Sequence, residues 1–466
     1  MLPILPLALA ITAWPGPSRA EAPLTLTELV DRARSNDLRV KEADANLRVL
    51  RGKYDEARWA WFPRIEASVM VAGPTPEAQN DGLGGPPLSE ATKMYDLNFG
   101  HAGVMLGADA YGFLPLYTFG KLDALKDAAA QGLIIGDRLR ARAKDEAGLQ
   151  AAQAFFGYQL ARQSRRTLDE TLTRLDDATA TLKRLTEKES PQVTQMDLLK
   201  LDFFRKQVEA RAGAIDSGLG YALAAAHLLC GGVPGKPVEL AAVDLAEPTA
   251  TLKPLETYLA LAYEHRPELM AVEAGLAARA KEVFIRERLF YPDFGVAGFA
   301  RWRWTTTSTR QLSPFANDPY NDASAGMALV GRATFDVFTK DAQLDQSRAE
   351  LEKLSTQRDL LRAGIHLEAE KAYGELSDAL VRSRAQGAAE RSARRWATSA
   401  SAAFDLGTGD TRELVDAFTA FAAASAEKLR AWHDYHVGVH VFGRVLGAPM
   451  EGIPAPAKAR VPSQRP

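Results

Sequence analysis

The sequence has little of what catalytic and metal-binding sites usually require. It contains one cysteine, Cys230, which excludes an intramolecular disulfide framework and a zinc site built on cysteines. Its seven histidines and single cysteine form no credible nucleophile or metal constellation, and no Gly-Lys-Ser or Gly-Lys-Thr phosphate loop is present. We therefore expect neither an enzyme nor a bound cofactor.

An excess of charge and a long apolar run are also missing. The 57 Lys and Arg residues nearly balance the 59 Asp and Glu residues, which leaves a net charge of -2. The chain therefore lacks the basic excess of a nucleic-acid-binding protein. No uninterrupted apolar stretch reaches 18 residues, so the sequence predicts no transmembrane helix.

The N-terminal segment predicts export. Residues Ile4 to Trp14 form a short, mostly apolar run, and Ser18-Arg19-Ala20 is a small-x-small cleavage pattern. Residues 1–20 are therefore expected to be a signal peptide. An exported chain without a transmembrane helix is either soluble or crosses a membrane as β-strands.

The rest of the chain contains an internal duplication. Residues Leu26 to Val69 align without a gap with residues Leu255 to Gly298, and in both copies a helical pattern gives way at an aromatic-Pro pair, with Pro63 and Pro292 as the predicted breaks. We expect a first repeat over residues 21–231, a linker over 232–254, a second repeat over 255–449 and a disordered tail over 450–466.

Each repeat also predicts a β-hairpin. Apolar residues alternate after each proline and again after a long polar or Pro/Gly-rich loop. In the first repeat, one face of the first strand would carry Ile65, Ala67, Val69 and Val71, and one face of the second strand would carry Val104, Leu106, Ala108 and Ala110. In the last strand of the second repeat, Met327, Leu329, Ala333 and Phe335 would share a face. Strands of about ten residues can cross a bilayer when tilted, although a hairpin in a soluble sheet fits the same pattern.

Long proline-free windows follow the hairpins. No proline occurs between Pro115 and Pro191 or between Pro319 and Pro449, and apolar residues recur at steps of three, four and seven. The windows predict helices from about Lys121 to Glu187 and from about Lys340 to Asp405, each roughly 100 Å long at 1.5 Å per residue. Each is followed by a turn and a returning helix, which requires a rod, a bundle or a tube.

The segment from Phe404 to Ala417, FDLGTGDTRELVDA, resembles the aromatic-x-Leu/Val-Gly-Thr…Leu-x-Asp-Ala segment of the TolC family of outer-membrane efflux proteins. The ordered, duplicated pattern extends this resemblance over about residues 24–449. The resemblance implies a mainly α fold with a small β part: a homotrimer with a periplasmic α-helical tunnel and a 12-stranded outer-membrane β-barrel. It implies passive efflux or type I secretion, with a periplasmic adaptor and an inner-membrane pump as partners.

The resemblance also implies roles for residues at the two periplasmic turns. Glu413 and Asp416 match acidic positions that line the tunnel constriction, so three subunits would place six carboxylates near one level. Acidic residues in a first helical turn also favour the helix dipole, which is the simpler explanation. The expected adaptor contacts are Leu406, Gly407, Thr408, Val193 and Thr194.

Two alternatives remain open. His433, His436 and His440 have a spacing that suits a two-histidine metal face, but a polar stripe at a helix interface is the favoured interpretation, so no metal site is expected. A soluble periplasmic coiled-coil scaffold, with hairpins packed on protein rather than lipid, is the alternative to the outer-membrane duct.

Overall fold

The computed structural model describes residues 22–75, 103–187, 195–232, 238–307, 318, 320–406 and 408–448. The predicted signal peptide, the predicted tail and the core of both hairpin loops therefore lie outside the described residues. Within the described part, no helix is both long and apolar enough to cross a membrane.

The described elements repeat in nearly the same order. The first copy holds α1 (Leu26–Asn36), α2 (Leu38–Arg58), β1 (Arg64–Thr75), β2 (Gly103–Tyr117), α3 (Lys121–Glu187), α4 (Gln195–Glu209) and α5 (Ala212–Leu229). The second holds α6 (Leu255–His265), α7 (Pro267–Arg288), β3 (Asp293–Thr305), β4 (Ala323–Arg332), α8 (Val337–Asp405) and α9 (Thr411–Leu446). The chain divides into two compact units, and both repeats contribute to each of them.

Two details differ from the sequence expectation. The first returning helix is interrupted at Ala210 and Arg211, whereas its counterpart α9 is continuous. Strand β4 ends at Arg332, and α8 begins five residues later, at Val337. Ala333 and Phe335 therefore lie in the connection between the strand and the helix. Strand alternation cannot reveal this end, because the apolar period continues past it.

The unit formed by residues 45–139 and 268–361 contains the sheet. Its four strands are antiparallel and follow the order β1-β2-β3-β4, so the two hairpins pair through β2 and β3. One row of paired residues crosses all four strands, through Val69, Ala108, Trp302 and Ala323. Because paired residues point to the same side of a sheet, the register assigns every side chain to a face.

The two faces of this sheet differ sharply in character. One face, the apolar face, carries only apolar residues: Ile65, Ala67, Val69, Val71, Leu106, Ala108, Ala110, Gly112, Leu114, Val296, Gly298, Ala300, Trp302, Trp304, Ala323, Ala325, Met327 and Leu329. The opposite face carries all charged residues of the described strands: Arg64, Glu66, Asp109, Asp293, Arg301, Arg303 and Arg332.

On the polar face, the acidic residues Asp109 and Asp293 both have cationic partners. The Asp109 carboxylate lies 2.7 Å from the Arg303 guanidinium and 3.5 Å from that of Arg301. At the helical end of the sheet, the Lys121 ammonium lies 2.7 Å from the Asp293 carboxylate. Polar pairing of this kind suits a face that meets water rather than lipid.

The unit formed by residues 1–44, 140–267 and 362–466 is helical in its described part. One hydrophobic core joins α1, α3 and α5 around Phe155 and Phe156. The predicted linker, described from residue 238 onward, is part of this core because Leu240 and Leu245 are buried in it. Residues 238–254 of the linker therefore form an ordered segment, here called the strap.

Side chains of the helices hold the strap. Arg162 and Arg166 on α3 donate to the Asp244 carboxylate at 2.6 and 2.9 Å. Burial opposes ionisation of Asp244, but the two guanidinium groups outweigh it and keep the pKa of that carboxyl below its ordinary value. On the other side, Arg384 of α8 donates to the Ala250 carbonyl at 2.8 Å.

Candidate functional site: the helical tip

The helix ends that adjoin the two turns lie at the same end of the helical unit. Leu182 of α3, Leu201 of α4, Phe404 of α8 and Leu414 of α9 are buried in one hydrophobic core. All four lie close to the end of their helix that adjoins a turn. This core, the tip core, holds these four helix ends together.

The second turn is built on the carbonyl of Ala403. The amides of Thr408 and Gly409 both donate to it, at 3.0 and 2.9 Å, and the Thr408 hydroxyl adds a third hydrogen bond at 3.1 Å. A Cβ on residue 409 would lie 2.7 Å from the amide nitrogen of Phe404, so only glycine fits there. The double-glycine pattern of the sequence thus has a steric cause at its second member.

Helix α9 begins at a polar cap. The Asp410 side chain accepts from the Arg412 amide at 3.1 Å, and Asp410 has the extended backbone of an N-cap. Buried Thr411 and Leu414 then turn the first residues of α9 towards the tip core. The cap and the buried positions determine which side of α9 faces outward.

The two predicted constriction carboxylates lie on that outward side. Glu413 and Asp416 are both exposed, and they flank buried Leu414 and Ala417. They are three residues apart, so they share one helical face. The Arg412 guanidinium lies 4.0 Å from the Asp416 carboxylate, at the outer limit of an ion pair, and both groups are mostly exposed. Such a surface pair neutralises little of the acidic character of the face.

The first turn has a different charge pattern. The corresponding residues at the start of α4 are Asp197 and Lys200, and the Lys200 ammonium lies 3.6 Å from the Asp197 carboxylate. Among the described residues, the start of α4 therefore carries a mixed pair of charges where the start of α9 carries two acidic residues.

Of the predicted adaptor contacts, two can be placed. Leu406 is 80% exposed just after α8, and Thr408 is also exposed. Val193, Thr194 and Gly407 lie outside the described residues. A large apolar side chain held out at a turn suits docking by another protein.

A buried ionic cluster above the tip was not predicted from the sequence. Glu390 on α8 is only 3% exposed; its carboxylate accepts from Arg394 at 2.6 Å and lies 3.2 Å from the Lys428 ammonium of α9. Burial opposes its ionisation, but Arg394 and Lys428 outweigh it and lower the pKa of Glu390. The Glu390–Arg394 spacing of four is visible in the sequence, whereas Lys428 is distant.

Beside this cluster, one aromatic ring of the return helix α9 contacts both long helices, α3 and α8. Phe421 of α9 is buried, and the guanidinium carbons of Arg394 on α8 and Arg174 on α3 lie 5.1 and 5.8 Å from its ring centre. Both distances are within cation–π range. The second return helix is thereby tied to the long helices of both repeats.

The predicted proline breaks fall between a helix and a strand. Helix α2 ends at Arg58 and Pro63 directly precedes β1, while α7 ends at Arg288 and Pro292 directly precedes β3. The helices thus end a few residues before the prolines, in turns that carry exposed aromatic side chains such as Trp61 and Tyr291.

Two histidines of α9 are packed in the interior of the helical unit. His436 stacks on Phe156 with ring centres 5.1 Å apart, and its Nε2 is hydrogen-bonded to the Ala246 carbonyl at 2.9 Å. Burial, with the nearby charges of His436 and Arg34, lowers the pKa of His440 to about 4. Among the described residues, no three His, Cys, Asp or Glu side chains converge as metal ligands do.

Comparison with known proteins identifies a family that matches both repeats of the chain. Residues 29–188 and 258–438 match the family model described as outer membrane efflux protein. These two segments lie one in each repeat and cover well over half of the chain. A comparison with curated protein sequences gives no match.

Solved channel structures have the same fold. The open state of the MtrE outer membrane channel from Neisseria gonorrhoeae matches with a TM-score of 0.72 and 15% identity, over 91% of this chain and 89% of that one. The outer-membrane channel OprN matches with a TM-score of 0.71 and 19% identity, over 91% and 90%. VceC of Vibrio cholerae, an outer membrane protein, matches with a TM-score of 0.68 and 15% identity, over 91% and 96%.

The family match favours the membrane channel over the soluble scaffold and favours transport over catalysis. The chain belongs to the outer membrane efflux protein family and is an outer-membrane efflux channel that extends into the periplasm.

Proposed function

We propose that this chain is one subunit of a homotrimeric exit duct that lets small molecules pass passively through the outer membrane. Three copies of the four-stranded sheet would close a barrel of twelve strands, and the helical units would enclose a periplasmic tunnel. A periplasmic adaptor at the turns would connect it to an inner-membrane pump.

The observation that carries this proposal is the division of the sheet into two faces. All charged residues of the strands share one face, while Val69 and Leu329 on the other are both 82% exposed in the single chain. Uncharged apolar surface of this extent is unfavourable in water and favourable in lipid.

Strand length supports the same assignment. Strand β3 has 13 residues, which span about 40 Å at 3.3 Å per residue. Tilted by about 40°, it would cover roughly 30 Å along the membrane normal, close to the thickness of the hydrocarbon core. Trp302 and Trp304 near one end of β3 and Tyr291 before its other end suit interfacial aromatic belts.

A closed barrel also explains the free edges. Strands β1 and β4 are the outer strands of the sheet, so each has one edge that no described strand of the same chain covers. Lipid offers no hydrogen bonds to such an edge, so it must pair with another copy. A trimer would pair β4 of each copy with β1 of the next.

The tip supports a selective entrance without catalysis. Glu413 and Asp416 would form a ring of carboxylates that favours cations, and exposed Leu406 would contribute to the adaptor contact. The duct would perform no chemistry, and its choice of substrates would follow from the pump that feeds it.

Conductance in a planar bilayer tests the proposal. The mature protein, purified in detergent, should have the mass of three chains by light scattering and should insert to give discrete conductance steps. A protein that stays monomeric and dissolved without detergent would contradict the duct and favour the soluble scaffold.

A further inference from the structure

Four aromatic side chains form one cluster where β2 and β3 adjoin helices. The ring centre of Phe119 lies 4.8 Å from that of Tyr117 and 4.9 Å from that of Tyr291. It lies 6.4 Å from the ring centre of Phe294. Tyr117, Tyr291 and Phe294 are 57%, 44% and 46% exposed in the single chain. We call these four residues the aromatic cluster.

The aromatic cluster continues the apolar face of the sheet. Phe294 and Val296 are two residues apart on β3, so their side chains share that face. From Phe294 to Trp304 the strand rises about 33 Å, which is about 25 Å along the membrane normal at a tilt of about 40°. The apolar band of a membrane barrel has about this height. With Trp304 at one membrane interface, the aromatic cluster therefore lies at the other.

That other interface is on the periplasmic side. Helix α3 follows β2 and helix α7 precedes β3, both at the end of the sheet that holds the aromatic cluster. Because the channel extends into the periplasm and its helices start here, this end of the sheet faces the periplasmic leaflet. The periplasmic leaflet of an outer membrane consists of phospholipids, whose head groups lie at the level of interfacial aromatic residues.

One arginine lies at the edge of the aromatic cluster. The guanidinium carbon of Arg288 lies 5.5 Å from the ring centre of Tyr291 and 4.7 Å from that of Phe284, both within cation–π range. Its Nε is shielded from solvent and has no hydrogen-bond partner among the described residues. An arginine that stacks on aromatic rings keeps its N–H donors in one plane, which is the arrangement that binds a phosphate group.

The acidic residues next to Arg288 along the chain have other partners. The Glu287 carboxylate lies 3.1 Å from the Arg348 guanidinium, and the Asp293 carboxylate lies 2.7 Å from the Lys121 ammonium. Within the described part of the chain, no carboxylate is paired with Arg288. Its positive charge is therefore available to an anion from outside the chain.

The backbone of Phe119 gives its ring a purpose beyond the local turn. Phe119 and Gly120 have φ angles of 53° and 80°, and the Lys121 amide donates to the Thr118 carbonyl at 3.1 Å. Asparagine, aspartate or glycine is preferred at the first of two such left-handed positions, so phenylalanine is strained there. The turn alone does not call for this residue, whereas the aromatic cluster does.

We propose that Arg288 and the aromatic cluster bind one phospholipid of the periplasmic leaflet. The Arg288 guanidinium donates to the phosphate oxygens of the lipid, because arginine binds phosphate through two parallel hydrogen bonds. The rings contact the glycerol region, and the acyl chains continue along the apolar face. The site goes beyond passive transport. It rests on the proposed contact between the apolar face and lipid, and it does not depend on the trimer.

Native mass spectrometry of the detergent-purified, delipidated mature protein tests the site. When phosphatidylglycerol is titrated in, Arg288→Gln should bind it about tenfold more weakly than the wild type, the loss expected for one charge-assisted hydrogen bond. Arg288→Lys keeps the charge and should retain most of the affinity. If Arg288→Lys bound as weakly as Arg288→Gln, the positive charge would not hold the lipid and the proposal would be overturned.

Arg332 provides the matched control. Its guanidinium carbon also lies over an aromatic ring, 4.5 Å from the centre of Phe113, and it is at the same end of the sheet as Arg288. It belongs to the polar face, however, which does not meet lipid. Arg332→Gln should therefore bind phosphatidylglycerol as the wild type does.

Two further probes establish what the site recognises. Diacylglycerol has the acyl chains of the lipid without its phosphate, so it should bind to the wild type and to Arg288→Gln with equal, low affinity. Inorganic phosphate lacks the acyl chains and should not displace phosphatidylglycerol. Displacement by inorganic phosphate would identify a general anion site and overturn the lipid site.

The same spectra give the mass of the assembly and thereby separate the two proposals. A trimer that loses the lipid in Arg288→Gln alone supports the site. A trimer with equal lipid binding by the wild type and Arg288→Gln, or with equal losses in Arg288→Gln and Arg332→Gln, overturns the site and leaves the duct intact. A monomeric mass overturns the trimeric duct, and the comparison of the two variants then decides the lipid site on its own.

Discussion

The Nζ of Lys428 on α9 lies 3.2 Å from Oε1 of Glu390 on α8, and the Glu390 side chain is almost fully buried. Arg394, one helical turn away on α8, contacts the same oxygen at 2.6 Å. Two cations thus compensate one buried carboxylate where the second long helix meets its return helix. Removing either partner of such a pair leaves a charge without full compensation.

We expect Lys428→Met to lower the free energy of unfolding by about 2 to 3 kcal/mol, because Glu390 keeps only Arg394. Thermal unfolding in detergent measures the loss. The control is Lys206→Met, which breaks the exposed Lys206–Asp202 pair on α4 and should cost less than about 1 kcal/mol. Equal effects of the two variants would show that burial of Glu390 does not matter.

Acid should destabilise the protein through His440. Its pKa in the folded protein is about 4, against an ordinary value of 6.5. Between these values the unfolded chain binds a proton that the folded chain rejects, so stability is lost as the pH falls from about 6.5 towards 4. His440→Gln should reduce the difference in melting temperature between pH 7.5 and pH 5.

The exposed His366 provides the comparison for that measurement. His366→Gln should leave the pH difference unchanged. If His440→Gln also left it unchanged, the acid sensitivity would have to arise elsewhere.

The turn after α8 should tolerate no side chain at Gly409. A Cβ there would lie 2.7 Å from the Phe404 nitrogen, so Gly409→Ala must displace the turn or the tip core. We expect a loss of about 1 to 3 kcal/mol, the usual cost of overpacking. Gly364→Ala in the open middle of α8 should instead stabilise by up to about 1 kcal/mol. Thermal melting of both variants would reveal the opposite signs, and a stabilised Gly409→Ala would contradict the steric account.

The acidic face of α9 should govern ion selectivity. The double variant Glu413→Gln with Asp416→Asn keeps the size of both side chains and removes both charges. The channel should therefore lose its preference for cations, and its reversal potential in a salt gradient should move towards the value of a non-selective pore. Glu427→Gln changes an acidic residue further along α9, which is paired with Arg430, and should leave the reversal potential unaltered. An unchanged preference in the double variant would remove these residues from the constriction.

Sequence patterns predicted the long elements well. The windows without proline gave both ends of α3 and the end of α8 at Asp405, because proline is the strongest local helix breaker. Period-two alternation grouped Val69 with Val71 on one face of the first strand and Leu329 with Met327 on one face of the last strand. The register of the sheet confirms both groupings and adds that they lie on the same face.

Contacts between distant parts of the chain could not be predicted in the same way. Nothing near Asp244 in the sequence indicates Arg162, and nothing near Glu390 indicates Lys428, because these pairs depend on how helices pack. The sequence also does not predict that the strap is an ordered segment. Its composition resembles that of a loop, and its ordered structure depends on the burial of Leu240 and Leu245 against distant helices.

The central claim is that one face of the sheet meets lipid, and two adjacent residues of β1 test it most directly. Val69 lies on the apolar face and Met70 on the polar face. A lysine facing the bilayer midplane costs about 2 to 4 kcal/mol, so Val69→Lys should reduce the amount of trimer recovered in the outer-membrane fraction, whereas Met70→Lys should leave it near the wild-type level. Equal recovery of the two variants, or a loss confined to Met70→Lys, would contradict the account.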